Sequence, residues 1–240
     1  MKLTFLGTRG YIDARSRRHR RHSALLVSYK NRRIMIDCGS DWERKLTRVV
    51  PHAIFVTHAH PDHAWGLKAG ADCPVYATQE SWKGMAGFPI DDRHAVSPRD
   101  PLQVEGIVFE AFPVVHSLRA PAVGYRIRAG RVVVFYVPDV IDVPDRSDAL
   151  TGIRLFIGDG ASLTRPLVRR KGNKLFGHTT VRAQIGWCEQ AGVDRAIFTH
   201  CGSEIVAGDE RVLGSKVRAM GRTHGVEAEI AHDGMEIVLR

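Results

Sequence analysis

The chain has 240 residues, with 35 Lys and Arg against 26 Asp and Glu, a formal net charge of +9. A hydrophobic share of 44% and a charged share of 25% exclude a disordered or collagen-like chain, and the length allows a sizeable core without covalent staples. No apolar run approaches the roughly 20 residues of a membrane helix, and the first is broken by Gly7, Thr8 and Arg9, too short for the core of a signal peptide. The four cysteines, Cys38, Cys73, Cys188 and Cys201, are far apart and form no CxxC pair. A reducing cytoplasm is therefore expected, without a disulfide framework or a four-cysteine zinc site.

In chain order, residues 1–6 read as a first strand, ended by Gly7, followed by the basic loop Arg15-Ser16-Arg17-Arg18-His19-Arg20-Arg21-His22. Residues 23–29 and 32–37 are apolar-rich runs separated by Lys30-Asn31, a hairpin signal. Residues 53–56 form a short buried-type strand that runs into Thr57 and His58. Strands are also predicted over 75–77 and 104–112, then a second hairpin of 122–128 and 131–137 around Ala129-Gly130, then a short strand over 153–157. Val181, Ile185, Cys188 and Ala191 recur at helical spacing, with Gly192 placed as a C-cap. A strand over 196–199 and a helix over 209–220 closed by Gly221 come next, and 226–230 with 235–239 read as a final strand pair. No linker or repeat divides the chain, so residues 1–240 are read as one domain. Strands with little helix come first and strand–helix–strand follows, an order that fits two packed sheets with helices outside.

The chemistry concentrates in Thr57-His58-Ala59-His60-Pro61-Asp62-His63, three imidazoles and a carboxylate directly after an apolar strand. Imidazole nitrogen and carboxylate oxygen suit zinc, and also iron or manganese. Side chains alternate along extended chain, so His58 and His60 point to one side. Pro61 keeps His60 out of helical geometry, and Asp62 and His63 then turn elsewhere. Four ligands this close crowd a single tetrahedral ion, which favours two metals over one; the bland alternative is a solvated polar loop. His116, Asp139 and His200 each stand at or just beyond the end of a predicted strand and supply further ligands.

With Gly66-Leu67 just beyond, His58-x-His60-x-Asp62-His63 resembles the metallo-β-lactamase superfamily, and His116, Asp139 and His200 follow in that family's order. Phe5-Leu6-Gly7-Thr8 and Ile36-Asp37-Cys38-Gly39 are similar to its first strands. The resemblance implies an αββα sandwich of two mixed β-sheets flanked by helices. It implies that His58, His60 and His116 bind one metal, that Asp62, His63 and His200 bind the other, and that Asp139 bridges them. Gly177-His178-Thr179-Thr180, ahead of a helix, resembles the ribonuclease Z and cyclic phosphodiesterase branch, in which this histidine acts near the leaving group.

Two divalent ions, zinc by default, would lower the pKa of a shared water and neutralise a phosphodiester. The expected function is therefore a metal-dependent phosphodiesterase in which His178 protonates the leaving group. Asp62 joins it as a catalytic candidate, Asp159 orients it or serves as a turn residue, and Asp37 supports a ligand histidine or is a structural turn residue. The basic runs at 15–22 and 165–174 suit a phosphate-containing substrate, a small molecule or a single-stranded nucleic acid, although charge runs are also ordinary solvated faces. Thioester, lactone or lactam hydrolysis by the same metal pair is the alternative, and a nucleic-acid-binding module with a structural metal is a third reading. Residues 141–175, where ribonuclease Z carries a glycine- and proline-rich arm, offer little beyond Pro144, Pro166 and a basic run, so no gripping arm is expected and precursor-tRNA processing ranks below a smaller phosphodiester. No membrane contact is expected, and a homodimer is compatible with the sequence.

Overall fold

The computed structural model describes residues 1–240. Its first sheet is built from β1 (Lys2–Gly7), β2 (Ala24–Tyr29), β3 (Arg32–Ile36), β4 (Ala53–Phe55), β5 (Val75–Ala77) and β6 (Arg93–Ala95). Four strands open the second sheet: β7 (Leu102–Val104), β8 (Ile107–Val114), β9 (Ala122–Ala129) and β10 (Val132–Tyr136). β11 (Leu155–Asp159) follows, then the separate hairpin of β12 (Leu167–Lys171) and β13 (Lys174–His178), then β14 (Arg195–Thr199), β15 (Glu227–Ile230) and β16 (Glu236–Val238). The helices are α1 (Pro61–Ala64), α2 (Gln79–Gly84), α3 (Arg146–Leu150), α4 (Val181–Gln190), α5 (Ser203–Val206) and α6 (Glu210–Thr223).

The two seven-stranded sheets run β16-β1-β2-β3-β4-β5-β6 and β15-β14-β11-β10-β9-β8-β7. Each joins a run of antiparallel strands to a run of parallel ones, and the change comes at β3–β4 in the first sheet and at β10–β11 in the second. Strand sequences explain the layering, because successive side chains serve opposite faces. Ile34, Ile36 and Phe55 face the space between the sheets, where Phe55 stacks on Phe109 at 4.0 Å. Met35, Ile54 and Val56 face outward onto Leu67 and Trp82. Phe135, Phe156 and Phe198 face outward on the second sheet, onto Val181, Ile185 and Cys188 of α4 and Val217 of α6. The result is the expected αββα sandwich of two mixed sheets. No helix is long and apolar enough to cross a membrane.

Local signals held where the structure is local. Lys30 and Asn31 both have positive φ, as the tight turn between β2 and β3 needs. Thr180 caps α4 through Ala183 N, and Gly192 closes it at φ 66. Three readings are corrected. Residues 104–112 are not one strand: Glu105 and Gly106, both at positive φ, turn β7 back into β8. Gly221 does not end α6 but lies inside it, where a Cβ would meet the Val226 carbonyl at 2.3 Å. β15 and β16 do not pair with each other; β15 lies beside β14 and β16 beside β1. Their linker crosses between the sheets, burying Ala231 on the way. Most of the basic run of 165–174 forms the β12–β13 hairpin, which stands apart from both sheets.

The loop between β1 and β2 is tied down from beneath. Arg9 is buried and pairs with Asp41, while Asp233 accepts from Thr8 Oγ1 and from the backbone of Arg20 and Arg21. His19 bonds Thr8 Oγ1 at 2.8 Å, and burial, followed by the charges of Arg18 and His232, pushes its imidazole down to about 4. In the unfolded chain the ring titrates near its ordinary 6.5, so below that pH the unfolded state binds the extra proton and gains on the folded state until about 4. The melting temperature should fall across that window, and His19→Gln should make the fall shallower; an unchanged slope in a pH series of melting curves would contradict the assignment.

Candidate metal centre

β3, β4, β8, β10, β11 and β14 all end at one edge of the sandwich, and each hands a polar side chain to it. Asp37 follows β3, His58 follows β4, His116 follows β8, Asp139 follows β10, Asp159 ends β11 and His200 follows β14. Ligand sites at the carboxyl ends of parallel strands arise because the chain turns there and frees side chains from the pleat. His60 is extended, with φ −69 and ψ 156, and Pro61 sits at the first helical position of α1. Proline is pre-organised for that position. The strand-to-helix switch therefore points His58 and His60 one way and sets Asp62 and His63 on a helical turn.

All seven predicted ligands converge. One ligand atom from each of His58, His60 and His116 lies within 4.8 Å of the others, and so does one from each of Asp62, His63, Asp139 and His200. Asp139 spans both groups: Oδ2 is 2.6 Å from His63 Nε2 and 3.4 Å from His58 Nε2, and Oδ1 is 2.9 Å from His200 Nδ1. Asp62 Oδ2 lies 3.1 Å from His63 Nε2 and 3.0 Å from His200 Nε2. Despite these short separations, the buried atoms His63 Nε2, His200 Nδ1 and Asp139 Oδ1 make no well-aligned hydrogen bond. Buried polar atoms left in this state are costly unless something else satisfies them, and a divalent cation fits this donor set.

The electrostatics agree. Burial drives His58 well below its usual range and His116 down to about 4, leaving them as the neutral imidazoles that metal binding requires. Burial alone would raise Asp62 and Asp139, but the neighbouring His63 and His200 hold both carboxyls well below their usual range. Burial would likewise lower His63 and His200, yet the carboxylates around them push both well above it. The pocket thus calls for positive charge between Asp62 and Asp139.

The surrounding bonds set the aim of each ring. Asp37 Oδ2 is 2.8 Å from His63 Nδ1, Thr57 Oγ1 is 3.0 Å from His58 Nδ1, and the Gly177 carbonyl is 3.0 Å from His116 Nδ1. Asp37 thus bonds His63, one of the candidate ligands. His178 Nδ1 meets Asp159 Oδ2 at 2.7 Å, and its ring lies 5.0 Å from His116 and 5.3 Å from His200. Burial would lower His178, but the charge and hydrogen bond of Asp159 raise it. Asp139, Asp159, His178 and His200 also form a group within 4.8 Å, so proximity alone admits His178 as a ligand.

Other supports were not singled out from the sequence. Gln184 is fully buried on α4, where Nε2 donates to the Asp159 carbonyl and Oε1 accepts from Asp159 N. Its signal was a polar residue inside the apolar stripe of that helix. Gly10 lies against the ring of His200, 3.1 Å from where a Cβ would stand, and no short-range pattern announces that contact. Asp37 and His200 both adopt left-handed backbone, at φ 64 and φ 53. Such residues cluster at functional sites because the surrounding structure has to hold them there.

A family model for the β-lactamase superfamily domain matches residues 32–201, a span that contains every one of these site residues except Gly10. The chain belongs to the metallo-β-lactamase superfamily. Within it, the chain is 31% identical over 155 residues to a ribonuclease Z of Methanococcus maripaludis, covering 52% of this chain and 48% of that protein. The chain spans about half the length of the first such relatives. Among solved metallo-β-lactamase structures, zinc-bound PqqB from Methylobacterium extorquens superposes with a TM-score of 0.79 at 18% identity, covering 100% of both chains. A diphosphatase of the PhnP family superposes with a TM-score of 0.73 at 22% identity, covering 98% of this chain and 96% of that one. These likenesses establish the fold.

Gly39 tests how tightly the centre of this metallo-β-lactamase domain is built. A Cβ there would lie 2.0 Å from the Asp62 carbonyl oxygen. Gly39→Ala must push α1, and with it Asp62 and His63, away from Asp139 and His200. A loss of about 1–3 kcal/mol in denaturant melts is expected, as for other overpacking changes; a neutral substitution would mean that α1 is not pinned here.

Proposed function

We propose that residues 1–240 form one hydrolase domain, a metal-dependent phosphodiesterase acting in the cytoplasm. His58, His60 and His116 hold one divalent cation, Asp62, His63 and His200 hold a second, and Asp139 lies between them; zinc is the metal assigned. When bound, the two cations make water more acidic and offset the negative charge of a phosphodiester. The residues of the chain do the rest. Asp37, Thr57 and the Gly177 carbonyl fix the tautomers of His63, His58 and His116, so that each presents Nε2 to the centre. Asp62, kept ionised between His63 and His200, is able to accept the proton that the attacking water loses.

One observation carries the choice of reaction: His178 is bonded through Nδ1 to the fully buried Asp159 and stands beside both histidine groups with Nε2 unbonded. A protonated imidazole held this way delivers its Nε2 proton to the departing alkoxide, giving an alcohol and a phosphate monoester. Asp159 acts through His178 and is a positioning residue; Val140 N, Ala161 N and Gln184 lock it in turn. The relatives named ribonuclease Z and the neighbour described as a diphosphatase support a phosphate-containing substrate. The four free thiols support a reducing compartment.

His178→Ala should lower kcat at least about 100-fold with the metal content of the purified protein unchanged. Loss of metal in that variant would make His178 a ligand instead. The metal-loaded protein should hydrolyse bis(p-nitrophenyl) phosphate faster than a p-nitrophenyl-type thioester; the reverse order would replace phosphodiester cleavage by acyl transfer.

A further inference from the structure

The β12–β13 hairpin is the one element whose strands pair only with each other. Isolated two-stranded hairpins are marginal in water, so its persistence beside the centre calls for a reason. It is rooted at the site: Gly177 N donates to the His116 carbonyl at 2.8 Å, and Thr179 N to the Val140 carbonyl at 2.8 Å. From there it runs outward to the turn at Gly172, and every residue of β12 is exposed.

Its register sorts the side chains. Leu167 lies opposite His178, Arg169 opposite Phe176 and Lys171 opposite Lys174. Residues directly opposite share a face, so one face carries His178 at its base, then the Arg169–Phe176 rung, then the Lys171–Lys174 rung. Arg170 and Val168 belong to the other face. Arg9, Arg15, Arg18 and Arg99 are matched with carboxylates, whereas Arg17, Arg20 and Arg21 of the N-terminal loop are not. Arg169, Arg170, Lys171 and Lys174 have no such partner within salt-bridge distance. A hollow of about 580 Å³ connects this face to the centre, lined by His60, His116, Arg119, Lys171, Phe176 and His178. A second hollow of about 480 Å³ continues past Leu167 and Arg169.

We propose that this face of the hairpin is a subsite for a single-stranded nucleic acid, in which Phe176 stacks on a base next to the scissile phosphate and Arg169 and Lys171 take the phosphates beyond it. Two residues of a strand advance about 6.6 Å, close to the step between successive phosphates of an extended single strand. Cations alternating with an aromatic surface are what sequence-tolerant single-strand binding uses. An anionic membrane would meet the outer cations but would leave the hollow and His178 unused, so a flexible strand fits the geometry better. The inference rests on the phosphodiesterase reading and extends it from a small diester to a chain with several phosphates on one side of the cleavage point.

The test is fluorescence anisotropy of the metal-loaded protein with a short, labelled, cleavage-resistant phosphorothioate oligonucleotide across a salt series. Arg169→Gln with Lys171→Gln should weaken binding at low salt and flatten the slope of log affinity against log salt by about 1.4, at about 0.7 for each phosphate no longer neutralised. Phe176→Ala should weaken binding about tenfold, within the range of base–aromatic stacking, and Phe176→Trp should restore it. Arg170→Gln removes the same charge from the opposite face and should change the slope far less. Equal effects of Arg169→Gln and Arg170→Gln, or an unchanged slope in the double variant, would overturn the subsite. So would binding of phosphatidylserine vesicles with the same Arg169 dependence in place of the oligonucleotide. Hydrolysis of bis(p-nitrophenyl) phosphate by the unmodified protein is measured alongside. Intact hydrolysis with face-independent binding removes the subsite alone, whereas face-dependent binding without hydrolysis removes the phosphodiesterase reading and leaves the subsite standing.

Discussion

The structure turns on the burial of Asp139. A carboxylate with almost no exposure is expensive to keep ionised, and here it stays ionised because His200 and His63 close around it. Those rings are themselves fixed from behind. Asp37 holds His63, Thr57 holds both Asp37 and His58, and Gly10 packs on His200. Removing one partner from such a cluster leaves a buried charge uncompensated, so the edge of the sandwich behaves as one electrostatic unit rather than as separate contacts.

That unit shapes the backbone around it. Asp37 and His200 are held in left-handed conformations, each at a cost of about 1–3 kcal/mol, and the neighbouring chain is shaped to keep them there. Cys201 N donates to the Thr8 carbonyl and Gly10 N to the Cys201 carbonyl, so the N-terminal loop clamps the segment that carries His200. The loop is in turn held by the buried Arg9–Asp41 pair. Phe55, from the parallel run of the first sheet, packs against Phe109 and Tyr125, from the antiparallel run of the second, in the space between the sheets. The parallel strands, together with β8, end where the polar side chains are needed.

The sequence was most informative where the determinants are local. His58 to His63 could be read because alternation and Pro61 fix four side chains within one turn of chain. The hairpin at Lys30-Asn31 and the Gly192 C-cap of α4 were legible for the same reason. The destinations of β15 and β16 were not, because their partners, β14 and β1, are chosen by sheet packing over long separations. The β12–β13 hairpin was hidden by its composition: a strand exposed along its whole length carries no burial alternation, so Arg169, Arg170 and Lys171 read as a plain charge run. Gln184 was visible in principle, since a polar residue in the apolar stripe of α4 needs a buried partner. The approach of Gly10 to His200 spans most of the chain and leaves no mark in short-range pattern.

The most direct measurement is anomalous diffraction from crystals of the protein loaded with zinc. Two peaks are expected, one within ligand distance of His58, His60 and His116 and the other within ligand distance of Asp62, His63 and His200, with Asp139 touching both. A single peak, or a peak held by His178 in place of either set, would contradict the two-cation centre.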